Sequence, residues 1–244
     1  MTKTQLQFVV ETDSTNALLR RLQPQENHAV YAGRQSQGRG QRGNVWLSEP
    51  CANLLFSLLW HPDGLPANRQ FSLSQATALA VVELLERHGV KALVKWPNDI
   101  YVADTKICGI LIENAVSSKL ESSIIGIGLN LNQTEFPATL PNPESLRRLT
   151  GETLSPDDAA SEMLECLEEL LPMAETEEGR EVLHKRYMER MYRNDGSYPY
   201  RDTATGDTFH ATITDVEPMG FLLLDDTTGQ RRRYAFKEVE FLHP

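Results

Sequence analysis

The run Leu54-Leu55-Phe56-Ser57-Leu58-Leu59-Trp60 constrains the fold most. It has the length of a strand but no polar alternation, so it reads as a strand buried on both faces. Such a strand needs other layers of structure around it. Residues 71–88 read as a long helix, apolar nearly all round through Ala76, Leu79, Ala80, Val81, Leu84 and Leu85, with Gly89 as its stop. Further strands are expected at 6–10, 29–32, 107–113 and 124–131, and one starts at Val94 and is interrupted by Pro97. A hairpin turn is expected around Ser117-Ser118-Lys119, and Asp13-Ser14-Thr15-Asn16 offers capping side chains to a helix over 17–22.

Residues 137–143 read as a proline-rich loop. Ser155-Pro156-Asp157-Asp158 then signals a helix start by cap, first-turn proline and acidic residues. Ala160, Met163, Leu164, Leu167, Leu170 and Leu171 form its apolar stripe, and another helix is expected over 178–191, before Asn194-Asp195-Gly196. From Tyr198 the chain turns threonine- and aromatic-rich, with short alternating strands at 209–213, 220–224 and 232–236. That reads as a small β-barrel or sheet of about 50 residues, marginal alone and packed on the larger part. The expected division is residues 1–194 and 195–244.

The 244 residues carry a formal net charge of −10. That opposes a general nucleic-acid-binding role without excluding a local basic pocket. Cys51, Cys108 and Cys166 are widely spaced and odd in number, which fits a reducing compartment rather than a disulfide framework or metal site. There is no apolar signal core at the N-terminus, and no apolar run approaches the ~20 residues that span a bilayer. A cytoplasmic protein without a membrane partner is expected.

Three segments carry chemistry. Gly38-Arg39-Gly40-Gln41-Arg42-Gly43, followed by Trp46, combines flexible backbone, two guanidinium groups and a flat ring. It suits an anion beside a planar group. The same letters satisfy the dinucleotide pattern G-x-G-x-x-G, but 44–50 has no helical period and ends in proline, so that reading fails. Lys95-Trp96-Pro97-Asn98-Asp99 places Asn98 and Asp99 in irregular backbone, where Asp99 could hold Mg²⁺. Lys106 begins the next strand, ahead of Gly109. Gly126 and Gly128 lie in an apolar strand and allow close approach of a ligand or another backbone, and Asn130 follows with a donor and an acceptor.

In this order and combination, Ser14-Thr15-Asn16, Gln35 with the 38–43 loop, Trp46-Leu47-Ser48, Lys95 to Asp99, Lys106 to Glu113 and Gly128-Leu129-Asn130 resemble the biotin protein ligase family. The resemblance implies an α+β fold. A mixed-sheet catalytic domain with flanking helices, of the class II synthetase and biotin–lipoate ligase type, carries a small C-terminal Src-homology-like β-barrel. It also implies a two-step reaction. Biotin and ATP, with Mg²⁺, give biotinyl-5′-AMP and pyrophosphate, and a lysine of a biotin carboxyl carrier domain of an acyl-CoA carboxylase then takes the biotinyl group.

By position, the resemblance places Ser14, Thr15 and Gln35 on biotin, with Asn16 beside them. The loop with Gly38, Gly40, Gln41 and Gly43 folds over the adenylate, Arg39 and Arg42 meet carboxylate and phosphate charge, and Trp46 flanks adenine. Asp99 serves Mg²⁺ and ATP, and Lys106 stands at the carboxylate–phosphate junction. Lys95, Asn98, Gly109, Gly128 and Asn130 complete the binding set. Gln41 departs from the family, which often has arginine there, and a looser hold on the adenylate is expected. The pattern begins near Leu6, so no N-terminal DNA-binding domain and no repressor role are expected. A lipoate–protein ligase is the neighbouring alternative, and monomer and homodimer remain equally open.

Overall fold

The computed structural model describes residues 4–242, with the side chain of Arg42 excepted. Strand β1 (Gln5–Thr12) leads into helix α1 (Thr15–Leu22), and β2 (His28–Gln35) pairs parallel with β1. Next come β3 (Leu54–Trp60), α2 (Phe71–Arg87), β4 (Leu93–Lys95), β5 (Asp99–Val102), β6 (Thr105–Val116) and β7 (Leu120–Leu129). They form one seven-stranded sheet in the order β1-β2-β3-β7-β6-β5-β4, antiparallel beyond the first pair.

β3 is buried at every position, as its unbroken apolar run requires. Leu58 and Trp60 join the main core, while Leu59 between them packs with Leu19 of α1 and Val30 of β2. Alternate residues of one strand thus enter two different apolar layers. Helix α2 is buried along nearly its whole length and packs on the β4–β6 part of the sheet. The β6–β7 hairpin closes through Ser117 N donating to Lys119 O at 3.0 Å.

Three helices follow: α3 (Leu146–Thr150), α4 (Pro156–Leu170) and α5 (Glu177–Glu189). Their starts are set by side-chain caps. Ser145 accepts from Arg148 N at 3.3 Å, Ser155 from Asp158 N at 3.1 Å, and Thr176 from Gly179 N at 3.0 Å. Helices α4 and α5 both pack against α2. No helix among the described residues is long and apolar enough to cross a membrane.

The chain then builds β8 (Tyr198–Asp202), β9 (Thr208–Val216), β10 (Leu222–Asp226), β11 (Arg231–Tyr234) and β12 (Val239–Phe241). These make a second, antiparallel sheet in the order β11-β10-β9-β8-β12. The expected C-terminal β-module is thus a five-stranded antiparallel sheet, with no ladder joining edge strands β11 and β12 among the described residues. Tyr200, Ile213, Leu222, Leu224 and Val239 belong to the same buried core as α2 and β3. Trp96 Nε1 also donates to Gly220 O at 3.0 Å. A sheet too small to be stable alone is thereby stabilised by a shared core.

Several boundaries differ from expectation. The strand expected at 220–224 begins at Leu222, because Gly220 has φ +89° and closes a turn onto Glu217. The strand begun at Val94 proves to be two, β4 and β5, one on each side of the turn at Pro97. Sequence patterning also misses α3, β8 and β12, which are short.

Candidate functional site

A cavity of about 610 Å³ lies between the large sheet and the C-terminal sheet. One end is built by the start of α1. Ser14 is the N-cap residue, with extended backbone, yet its hydroxyl makes no cap bond. Thr15 N and Thr15 Oγ1 both donate to Gln35 Oε1, at 2.8 and 3.1 Å. The Gln35 amide oxygen is therefore occupied and its NH₂ remains for a ligand. Ser57 Oγ donates to Asn16 Oδ1 at 2.6 Å and lies 2.7 Å from Thr15 Oγ1. Asn16 Nδ2 reaches Glu113 Oε2 at 3.1 Å.

Gly126 makes this packing possible. A Cβ there would lie 2.3 Å from Asn16 Oδ1, well inside contact distance. Behind the helix start, Asp13 is gripped by Arg21 at 2.6 and 2.9 Å. The Arg21 hydrogen bonds hold the Asp13 carboxyl well below the usual carboxylate range, and Ser14 N and Thr12 add to them against the opposing effect of burial.

The middle of the floor is a glycine pair. Gly109 of β6 and Gly128 of β7 stand directly opposite one another. The Trp46 indole lies on both: a Cβ at Gly128 would be 2.5 Å from Trp46 Cε2, and one at Gly109 3.0 Å from Cζ3. The glycine–arginine loop is folded down over this floor, with Trp46 N donating to Gly38 O at 3.0 Å and Gly40 N to Asn44 O at 2.7 Å. Gln41–Gly43 makes one 3₁₀ turn and no helix follows before β3, which removes the dinucleotide-fold reading. The buried Trp46 Nε1 has no hydrogen-bond partner among the described residues. A buried indole N–H normally finds one, so this atom is available to a ligand acceptor.

The far end is charged. Lys106 Nζ lies 2.7 Å from Asp99 Oδ1 and 5.9 Å from the Trp46 ring. A register shift between Ile100 and Tyr101 lets neighbouring β5 and β6 present both groups. Lys95 Nζ donates to Tyr101 Oη at 3.0 Å, and Asn98 Nδ2 to Ile110 O at 2.8 Å, which fixes the turn that carries Asp99. Arg39 also lines the cavity, exposed and without an ion-pair partner among the described residues.

Of the residues singled out from sequence, Ser14, Thr15, Asn16, Gln35, Arg39, Gly40, Gln41, Trp46, Lys95, Asn98, Asp99, Lys106, Gly109 and Gly128 line this one cavity. Gly38 and Gly43 belong to the loop but not to the wall. The Arg42 side chain lies outside the described residues. Asn130 is not part of the cavity wall: its Nδ2 donates to Glu144 O at 2.8 Å and holds the 142–146 segment in place, and its buried Oδ1 has no partner among the described residues. The wall that sequence reasoning missed comes from the second sheet, through Thr203, Phe236, Lys237 and Phe241. Their one local signal is Lys237, an exposed cation at φ +71° in a turn.

No group of three or more His, Cys, Asp or Glu residues suited to a metal occurs among the described residues. Asp99 is a lone carboxylate. That fits Mg²⁺, which binds through one or two carboxylates together with substrate phosphates.

The chain resembles known proteins along its whole length. The family model described as the biotin/lipoate A/B protein ligase family matches residues 7–130. The bifunctional ligase/repressor BirA of Bacillus subtilis is 31% identical over 230 residues, covering 86% of this chain and 65% of the relative. The chain thus spans less than two thirds of that relative's length. The biotin–[acetyl-CoA-carboxylase] ligase of Paracoccus denitrificans is 32% identical over 161 residues, covering 62% of this chain and 66% of the relative. A solved biotin protein ligase from Aquifex aeolicus, in complex with biotin and ATP, superposes with TM-score 0.80 at 25% identity over 99% of this chain and 100% of its own. The two-sheet architecture is therefore that of the solved biotin protein ligases, and with its matched segment carrying α1, the glycine–arginine loop and Lys106, this chain belongs to the biotin/lipoate A/B protein ligase family.

Proposed function

We propose that this chain is a biotin–protein ligase that activates biotin with ATP and transfers it to a lysine of a carboxylase carrier domain. One observation carries the reading. A neutral hydrogen-bonding end (Ser14, Thr15, Gln35) and a charged end (Lys106, Asp99) share a single cavity that Arg39 also lines, joined by a glycine floor under Trp46.

The neutral end suits the ureido ring of biotin, which offers two N–H donors and one carbonyl acceptor. Ser14 and Thr15 hydroxyls serve the donors, and the free NH₂ of Gln35 serves the carbonyl. The glycine floor lets the fused rings and chain lie flat, and directs the carboxylate toward Lys106. There a carboxylate oxygen attacks the α-phosphorus of ATP, the bond to the bridging oxygen breaks, and pyrophosphate leaves. Lys106 and Arg39 stabilise charge on the carboxylate and α-phosphate, which counts most with water excluded by the folded loop. Lys237, across the cavity, adds a cation for the phosphate tail. Mg²⁺, held by Asp99 with the substrate phosphates, would supply further charge neutralisation. In the second step a neutral acceptor amine attacks the mixed-anhydride carbonyl. The C–O bond to AMP breaks and the amine gives up its proton.

Absence of a DNA-binding role is part of this reading and rests on the net charge of −10. A mobility-shift assay with duplex DNA, with and without biotin, tests it, and retarded DNA would overturn it. The activity itself is tested by biotin-dependent exchange of labelled pyrophosphate into ATP, followed by transfer to a carrier domain. Exchange with lipoate and none with biotin would assign the chain to the other branch of the family.

A further inference from the structure

Where the chain leaves α5 for the second sheet, it buries an arginine without a carboxylate. Arg193 is 5% exposed, has φ +64°, and leaves Nη1 without a hydrogen-bond partner. It forms no ion pair among the described residues. Its guanidinium instead stands 5.0 Å from the Tyr192 ring, 5.1 Å from Tyr198 and 5.9 Å from Phe241. Arg193 also donates a hydrogen bond to the Tyr192 side chain. A buried guanidinium normally has a carboxylate, so retaining one among tyrosine and phenylalanine side chains needs a reason.

The surroundings supply it. Tyr192 N donates to Val94 O at 2.9 Å, which ties this segment to β4, the strand that delivers Lys95 and the Pro97 turn. Tyr192 also donates its hydroxyl to Asp104. On the other side, Phe241 of β12 packs edge-on against Tyr200 at 5.0 Å and stacks on Tyr192 at 6.4 Å. Lys95 Nζ is 5.7 Å from the same Phe241 ring. Phe241 and Lys95 both line the substrate cavity. Arg193 therefore connects β4 of the first sheet to β12 of the second, through contacts that depend on a flat cation.

We propose that Arg193 is a positioning residue that sets the second sheet's wall, and with it Lys237 and Phe241, against the nucleotide end of the cavity. It touches no substrate. It acts through Phe241 and Tyr192, and governs ATP while leaving the biotin end, which is built from α1 and strands β2, β3, β6 and β7 of the large sheet, unaffected. The inference rests on the functional reading above.

The test is calorimetric titration of the full chain with biotin and, separately, with an ATP analogue carrying a methylene between the α and β phosphorus atoms. Arg193→Gln is expected to weaken the analogue by ~tenfold and to change biotin binding less than twofold, with Arg193→Lys in between. Tyr198→Ala, which removes one ring from the guanidinium while keeping the arginine, is expected to shift the same ligand in the same direction and serves if Arg193→Gln does not fold. Equal weakening of both ligands, or a lowered melting temperature with neither affinity changed, would overturn the proposal in favour of a purely structural role. Wild-type binding of the analogue together with no detectable binding of biotin would instead overturn the functional reading, while the effect of Arg193 on the nucleotide would still be read directly.

Discussion

The Lys106 ammonium stands 2.7 Å from the Asp99 carboxylate at the end of the cavity where phosphate charge would gather. The pair is about one third to one quarter exposed, so its contribution to stability is small. Its value is positional: Asp99 keeps the ammonium at one place until a more negative ligand competes for it. Lys106→Ala is expected to lower biotin-dependent pyrophosphate exchange by roughly 10²–10³-fold without unfolding the chain. Asp99→Asn is expected to raise KM for ATP by ~tenfold or more and to make the rate depend more steeply on Mg²⁺. Exchange at wild-type rate in Lys106→Ala would remove Lys106 from the reaction centre.

Gly128 is a close-approach position rather than a flexible one. A methyl group there would meet Trp46 Cε2 at 2.5 Å, and the Trp46 backbone is held by Gly38. Gly128→Ala is expected to lift the indole, open the loop and cut kcat/KM by ~tenfold or more, with a change in tryptophan fluorescence. Gly64 has nothing within 4 Å of an added Cβ, so Gly64→Ala serves as the silent control.

Gln41 lines the cavity, while the backbone around it makes a 3₁₀ turn. Glutamine there can hydrogen-bond but contributes no charge toward retaining an acyl-adenylate. Gln41→Arg is expected to slow release of biotinyl-AMP by a few-fold to ~tenfold, measured by rapid filtration. Equal release rates would dismiss the idea.

The Asp13–Arg21 pair makes a signed prediction about pH. The folded Asp13 carboxyl lies far below its unfolded value, so the pair's stabilisation is full above a pH of about 4 and is lost as pH falls through the folded pKa. Asp13 is one third exposed and Arg21 more so, and solvent screening keeps the effect small. Denaturant melts of wild type and Arg21→Ala are expected to differ at pH 7 and to converge at low pH. A constant difference would show that Arg21 acts through packing instead.

The three thiols are expected to react very differently. Cys51 is exposed, whereas Cys108 and Cys166 are buried. Burial pushes the Cys166 thiol up to about 11 despite the pull of Arg87, and pushes Cys108 higher still. A maleimide at pH 7 is expected to label one cysteine in the native protein and three after unfolding, counted by mass spectrometry.

How much of this was legible in the sequence depended on how local each determinant is. Leu54–Trp60 and the 71–88 helix were legible because an uninterrupted apolar pattern has few places to go. The Ser155 cap was legible because its partners lie within four residues. That Gly126 and Gly128 mark close approach was legible too, but not what approaches. Asn16 and Trp46 come from segments far away in the chain, and no local pattern encodes that distance. For the same reason the sequence did not show that the Asn130 amide nitrogen braces the 142–146 loop, while its buried Oδ1 is left without a partner among the described residues. β5 was hidden by Pro97, and the wall of Phe236, Lys237 and Phe241 by a docking of two sheets that only the folded core specifies.

That wall has a consequence for synthesis. A ribosome completes Ser14, Gln35, Trp46 and Lys106 well before it reaches Phe236 and Phe241, the residues that finish the same cavity. Domains tend to fold as they emerge, so the seven-stranded sheet can form around a half-built site before β8 to β12 have been made. A nascent chain would then hold the Ser14–Gln35 end of the cavity without the wall of Phe236, Lys237 and Phe241. The cavity would be complete only after β12 has emerged and docked against the large sheet.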